Sequence, residues 1–192
     1  LMMAMTSPQF PPVSMTELSQ MLESWEQLVA TRDRPAIAHA DTFNHFSRLV
    51  EACWGLFNTG ETDTAQHVLA GFLPGMVRLA PSRPEAAALA AHGLRLHSLL
   101  LAHQLQLSAM IAQCQQAVFF ARLAHDPDAL SAALNGLAVA FKYAGDLDAS
   151  FTTYQEALTY STQASPLLRS RVYAGAASMF AQRGRSQEAL FY

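Results

Sequence analysis

The chain has 192 residues, a formal net charge of -3, 51% hydrophobic residues and only 14% charged ones. That balance excludes a disordered chain, which needs low hydrophobicity and high charge, and the negative charge leaves no general attraction to nucleic-acid phosphate. The length suffices for one domain with a substantial core.

Residues 1–13 are rich in Met and Pro and lack a helical period, so they read as a flexible tail. The start has no positively charged segment before an apolar one and does not read as a signal peptide. Ser14-Met15-Thr16-Glu17 has the form of a capping box. It opens an N-terminal capping helix over 14–31, in which Leu18, Met21, Leu22, Trp25 and Leu28 keep the spacing of a buried stripe. A second helix runs from Ala36 to Asn58 and stops at Gly60, a residue suited to the left-handed end of a helix. A third covers Asp63 to Leu79, with a kink expected at Pro74, which removes the hydrogen bond to the Ala70 carbonyl. Pro84 starts the next in its first turn, where a missing N–H is harmless, and that helix reaches His103. Further helices are expected over 107–124, 127–144, 147–162, 167–183 and from 186 onward. Asp126-Pro127 and Ser165-Pro166 are cap-then-proline starts.

No stretch alternates as a strand does. The longest apolar runs, such as Leu99–Ala102, fall far short of the roughly 20 residues of a membrane span. Cys53 and Cys114 sit in apolar helical patterns and read as buried reduced thiols. Two distant cysteines are no secreted disulfide framework, which points to the cytoplasm.

The chain repeats itself. Setting Gly145 over Gly184, at an offset of 39 residues, puts Leu134 on Tyr173, Leu137 on Ala176, Ala138 on Ala177 and Phe141 on Phe180 without a gap. Leu134, Leu137, Ala138, Phe141, Gly145, Asp146, Ser150, Tyr154 and Ala157 resemble the tetratricopeptide consensus. Small residues at Ala138 and Ser150 let two helices of a hairpin approach, Phe141 and Tyr154 fill the space beside them, glycine turns the corner and Asp146 caps the second helix. Weaker copies lie upstream. Gly60 aligns with Gly145, placing Leu49, Leu56 and Ala65 at signature positions. The helix ending at His103 pairs with Met110, Cys114 and Ala117, but Leu105 stands where glycine belongs. Repeats are thus expected over 40–80, 84–125, 127–162 and 166–192, the last incomplete, which suggests a parent protein that continues.

The resemblance implies an all-α fold of antiparallel helix-turn-helix repeats stacked as a right-handed superhelix, one repeat domain over 14–192. The region from Glu51 to Tyr192, above all Tyr154–Leu158 and Ser165–Tyr173, also resembles the repeat regions of large bacterial helix-turn-helix regulators. There the repeats sense or scaffold a protein or peptide, and a separate segment binds DNA.

No catalytic constellation stands out, and neither cofactor nor metal is expected. His92, His97 and His103 follow at steps of five and six residues, which turn them to different sides of a helix, whereas a zinc helix wants an i, i+4 pair. Asp126 and Asp128 are explained as an N-cap and a first-turn acid. No phosphate-cradling glycine loop is present. In the tetratricopeptide family the first helix of each pair lines the ligand groove. The resemblance therefore places Trp54 and Asn58, then His92, Arg95 and His103, then Asn135 and Lys142, then Arg171, Ser178 and Gln182 in a groove. Amides that bond a peptide backbone and arginines that clamp carboxylates imply an extended peptide or protein segment that is acidic or ends in a free C-terminus. The alternative is self-association, favoured by apolar Leu190 and Phe191, which would give a homodimer without a separate ligand.

Overall fold

The computed structural model describes residues 38–192 together with Thr16, Gln20 and Glu23, which are helical and exposed. The rest of the expected tail and capping helix lies outside the described residues. By contacts the chain divides into two compact units, Leu1–Val68 and Leu69–Tyr192, so the boundary falls inside a helix of the first expected repeat.

In the first unit, α1 spans Ala38–Thr59, and α2 (Thr62–Leu79) begins there and carries Pro74 without interruption. Phe46, Leu49, Val50 and Cys53 recur at the three-and-four spacing of a helix face and are buried, as are Ala65 and Val68. Leu49 and Ala65 are two of the positions the weak upstream copy predicts.

The second unit takes up the rest of α2, where Leu69, Phe72, Leu73 and Met76 are buried, and a 3-10 turn at Ala80–Ser82. Six helices follow: α3 (Pro84–His103), α4 (Leu107–Ala124), α5 (Pro127–Tyr143), α6 (Leu147–Ser161), α7 (Pro166–Gln182) and α8 (Ser186–Phe191). No strand occurs among the described residues. Proline occupies the first turn of α3, α5 and α7. Asp126 caps α5, accepting from the N–H groups of Asp128 and Ala129 at 2.9 and 3.3 Å. Asp146 caps α6 through the N–H of Ala149 at 3.0 Å. Ser165 departs from expectation, because its side chain makes no capping bond. Its backbone N–H instead donates to Asp128 Oδ1 at 2.6 Å, so Asp128 ties the start of α7 to the start of α5.

The repeat is written most clearly in the turns. Gly60, Gly145 and Gly184 adopt positive φ, and so does Leu105 at φ 57°. At each, the following N–H reaches back to a helix carbonyl: Glu61 to Leu56, Gln106 to Leu101, Asp146 to Phe141 and Arg185 to Phe180, at 2.9–3.0 Å. These are four copies of one helix-ending motif, and Leu105 occupies the glycine position in spite of its side chain. The left-handed region costs a leucine about 1 kcal/mol that glycine escapes, part of it returned as glycine's larger unfolded-state entropy. Leu105 is 82% exposed and has no packing to lose. Leu105→Gly is therefore expected to stabilise the protein by about 0.5–1 kcal/mol in denaturant titration, and any destabilisation would contradict this reading of the turn.

From α3 onward each helix packs on the next, and α3 also packs on α5 and α5 on α7. The backbones of α4 and α6 stay apart, bridged by Arg122 and Glu156 at 2.5 Å. First helices thus form one layer of this unit and second helices another. The close approach predicted at Ala138 and Ser150 is made by a buried bond, Ser150 Oγ donating to the Ala138 carbonyl at 2.8 Å. Ala138, Phe151, Tyr154, Ala176, Met179 and Phe180 form one buried cluster. Arg183 lies over the Phe151 ring at 4.4 Å and Arg185 over Phe180 at 4.9 Å, covering its end.

Candidate ligand-binding face

The predicted groove residues fall in both units. Trp54 and Asn58 belong to α1 in the first unit. Trp54 is half-buried with Phe57 edge-on at 6.0 Å, and Asn58 is exposed. The other eight lie in the second unit, on α3, α5 and α7, the three helices that pack side by side.

One bond fixes the register of two of these helices. Lys142 Nζ, in the last turn of α5, donates to Ser178 Oγ of α7 at 3.1 Å. Both helices follow an antiparallel partner, so they run the same way. Seven residues back from Lys142 is Asn135, and seven back from Ser178 is Arg171. Two helical turns, about 10.5 Å, separate each pair along its helix, and the repeat alignment sets Asn135 against Ala174, about one turn after Arg171. Arg95 occupies on α3 the repeat position that Asn135 holds on α5.

Electrostatics ties Arg95 to Arg171. Arg95 is half-buried, and its guanidinium is pushed down to about 10, first by burial and then by the positive charge of Arg171, with Cys114 acting the other way. One turn earlier, His92 is pushed down to about 4 by burial and by Arg95, which leaves it neutral near pH 7. Cys114 on α4 is wholly buried, its thiol raised by burial, against which its side-chain hydrogen bond with Ser98 and the Arg95 charge act. Ser98 Oγ also donates to the Arg95 carbonyl at 2.7 Å. His103 and Gln182 are exposed in the last turns of α3 and α7.

The structure therefore links His92 with Arg95 and Arg95 with Arg171 through their charges, and Lys142 with Ser178 through a hydrogen bond. Most carboxylates of this unit have partners of their own. Asp126, Asp128 and Asp146 bond backbone N–H groups, while Asp148, Glu156 and Glu188 pair with Arg183, Arg122 and Arg185. Glu85 is exposed in the first turn of α3, two turns before His92. The predicted face residues of this unit thus combine the cationic groups Arg95, Lys142 and Arg171 with the amides of Asn135 and Gln182 and the hydroxyl of Ser178.

Sequence reading missed Ser98 and Cys114 as the support behind Arg95. Ser98 stands three residues after Arg95, the i, i+3 spacing at which a hydroxyl reaches a helix carbonyl, and that was the available signal. Cys53 and Cys114 are buried free thiols, as expected. Among the described residues no group of three His, Cys, Asp or Glu side chains could hold a metal ion, and no helix is long and apolar enough to cross a membrane. His97 Nδ1 instead shares a hydrogen bond with Gln113 Oε1 at 3.2 Å. No protein-family model matches the chain, and no curated protein matches it.

Proposed function

We propose that the chain is a non-enzymatic tetratricopeptide-type module that holds an acidic peptide or protein segment across the shared side of α3, α5 and α7. In this reading it is the sensor or scaffold region of a cytoplasmic bacterial transcriptional regulator, with DNA contact left to another segment. The observation that carries the proposal is that three successive first helices supply cationic and polar side chains, some of them linked across helices: the charge of Arg171 acts on Arg95, and Lys142 donates to Ser178. A face drawn from three helices suits an extended ligand better than a compact one, because each unit adds a contact along one direction.

The test is capture from native cell lysate, comparing the unaltered chain with an Arg95→Glu, Asn135→Ala, Arg171→Glu variant of equal helicity. Loss of a captured protein by the variant supports the proposal. A second reading, self-association, is favoured by Leu190 and Phe191, which are 87% and 82% exposed at the end of α8. It predicts that the chain captures copies of itself, equally in both forms.

A further inference from the structure

Resting on that reading of the face, we infer that the seam between α5 and α7 holds a carboxylate subsite, in which Tyr154 of α6 offers its hydroxyl through the gap left by Gly175 and joins Lys142 and Ser178. Tyr154 is 4% exposed, and it lies so close to the α7 backbone that a Cβ on Gly175 would fall well inside 3.0 Å of its hydroxyl oxygen. Ser178 follows three residues later, which is about 5–6 Å between Cβ positions and about 60° round the helix. The Tyr154 hydroxyl and Ser178 are thereby neighbours on one side of α7, and Ser178 Oγ accepts from Lys142 Nζ at 3.1 Å. The arrangement belongs to this repeat alone of the two: Gly136, which corresponds to Gly175, faces Cys114 Sγ and no hydroxyl.

Two of these groups keep hydrogen-bonding capacity that the protein does not use. Tyr154 Oη bonds no described residue, and it is not among the polar atoms sealed from solvent. A hydroxyl held in this way costs stability until a partner arrives. Burial, with Tyr143 acting in the same direction, raises its pKa, so it is a neutral donor near pH 7. Lys142, the chain's only lysine, is half-buried and gives one of its three N–H donors to uncharged Ser178. No described carboxylate pairs with it. Its place in the last turn of α5 suits a cation, because the helix dipole is negative there, but leaves the Tyr154 hydroxyl unexplained. A carboxylate accounts for both groups: it balances the ammonium, and its two oxygens accept from Nζ and Oη. One cation also matches a singly charged group better than a dianion.

The experiment is a titration of the full chain labelled at lysine, so that the Lys142 side chain gives a single NMR signal, at constant ionic strength. The probes are acetate and its uncharged isostere acetamide. The expected result is saturable movement of the Lys142 signal with acetate, at an affinity at least tenfold above that for acetamide. Tyr154→Phe keeps the ring and removes the hydroxyl. It is expected to lower the acetate affinity at least fivefold while its denaturation midpoint stays the same or rises. Equal response to acetate and acetamide, no movement of the Lys142 signal, or an acetate affinity unchanged in Tyr154→Phe overturns the inference. Two further probes separate the sources of the carboxylate: N-acetylalanine carries it at a chain end, and the α-methylamide of N-acetylglutamate carries it on a side chain. The tighter binder names the source, and equal affinities show that the carboxylate alone is read; each result supports the subsite. Should acetate fail while the triple variant still loses a lysate partner, the subsite falls and the peptide-binding face stands. Should acetate bind as expected while capture is unaffected by the triple variant, the subsite stands and the wider face falls. Should both fail, both fall.

Discussion

Gly175→Ala is expected to destabilise the protein by about 2 kcal/mol, whereas Gly136→Ala, the same change one repeat earlier, is expected to stabilise it by about 0.5–1 kcal/mol. Both glycines lie inside first helices, where replacing glycine by alanine removes backbone entropy from the unfolded chain and favours the helix. What differs is the side chain of the preceding second helix. A Cβ on Gly136 would meet Cys114 Sγ at 3.9 Å, an ordinary contact. On Gly175 it would fall well inside 3.0 Å of two ring atoms and the hydroxyl oxygen of Tyr154, which no real packing allows. Tyr154 is 4% exposed and belongs to the buried cluster with Phe151 and Phe180, so its ring has nowhere to turn without moving the cluster. The pair is measured by denaturant unfolding. Opposite signs support the repeat register that places Cys114 and Tyr154 at corresponding positions, and equal effects at the two glycines would contradict it.

Arg169→Ala is expected to cost about 2 kcal/mol, the range for hydrogen bonds from a charged donor. Its guanidinium closes the end of α6: Nε donates to the Ser161 carbonyl at 3.3 Å, and Nη2 to those of Thr162 and Ala164 at 3.2 and 3.3 Å. Helix ends leave such carbonyls unsatisfied, and a cation there also meets the negative end of the helix dipole. Arg169 sits in the first turn of α7, so it joins the end of one repeat to the start of the next, two residues before Arg171 on the candidate face. Arg169→Lys is expected to recover only part of the loss, because an ammonium lacks the fork that reaches three carbonyls. The readout is again denaturant unfolding, together with amide exchange over 161–169, which should rise in the alanine variant. A loss under about 0.5 kcal/mol would show that water replaces the arginine.

The helices were legible because their signals are local. Apolar spacing, proline in a first turn and an aspartate before it are properties of a few consecutive residues. Expected and observed helices agree within a residue or two from Pro84 onward. The degenerate repeat at Leu105 was also legible, through alignment, although leucine is a poor choice for a left-handed turn. Ser165 misled because the cap signal names a side chain, while Asp128, thirty-seven residues away, satisfies that helix start instead. A bond between two repeats has no local signature. The same limit applies to the face. A resemblance could nominate Lys142 and Ser178 separately, but their bond depends on the packing of α5 against α7. The burial of Arg95 over Cys114 and Ser98 likewise depends on how α3 meets α4.

The reading of the face as a binding surface stands or falls most directly on capture from native lysate by three proteins of matched helicity: the unaltered chain, the Arg95→Glu, Asn135→Ala, Arg171→Glu variant, and Phe119→Ser. Phe119 is 60% exposed on α4, in the layer of second helices. The expected result is a partner recovered by the unaltered chain and by Phe119→Ser and lost by the triple variant, with Arg171→Glu alone reducing recovery. A partner recovered equally by the triple variant, or lost only with Phe119→Ser, would contradict the account and move the interaction away from α3, α5 and α7.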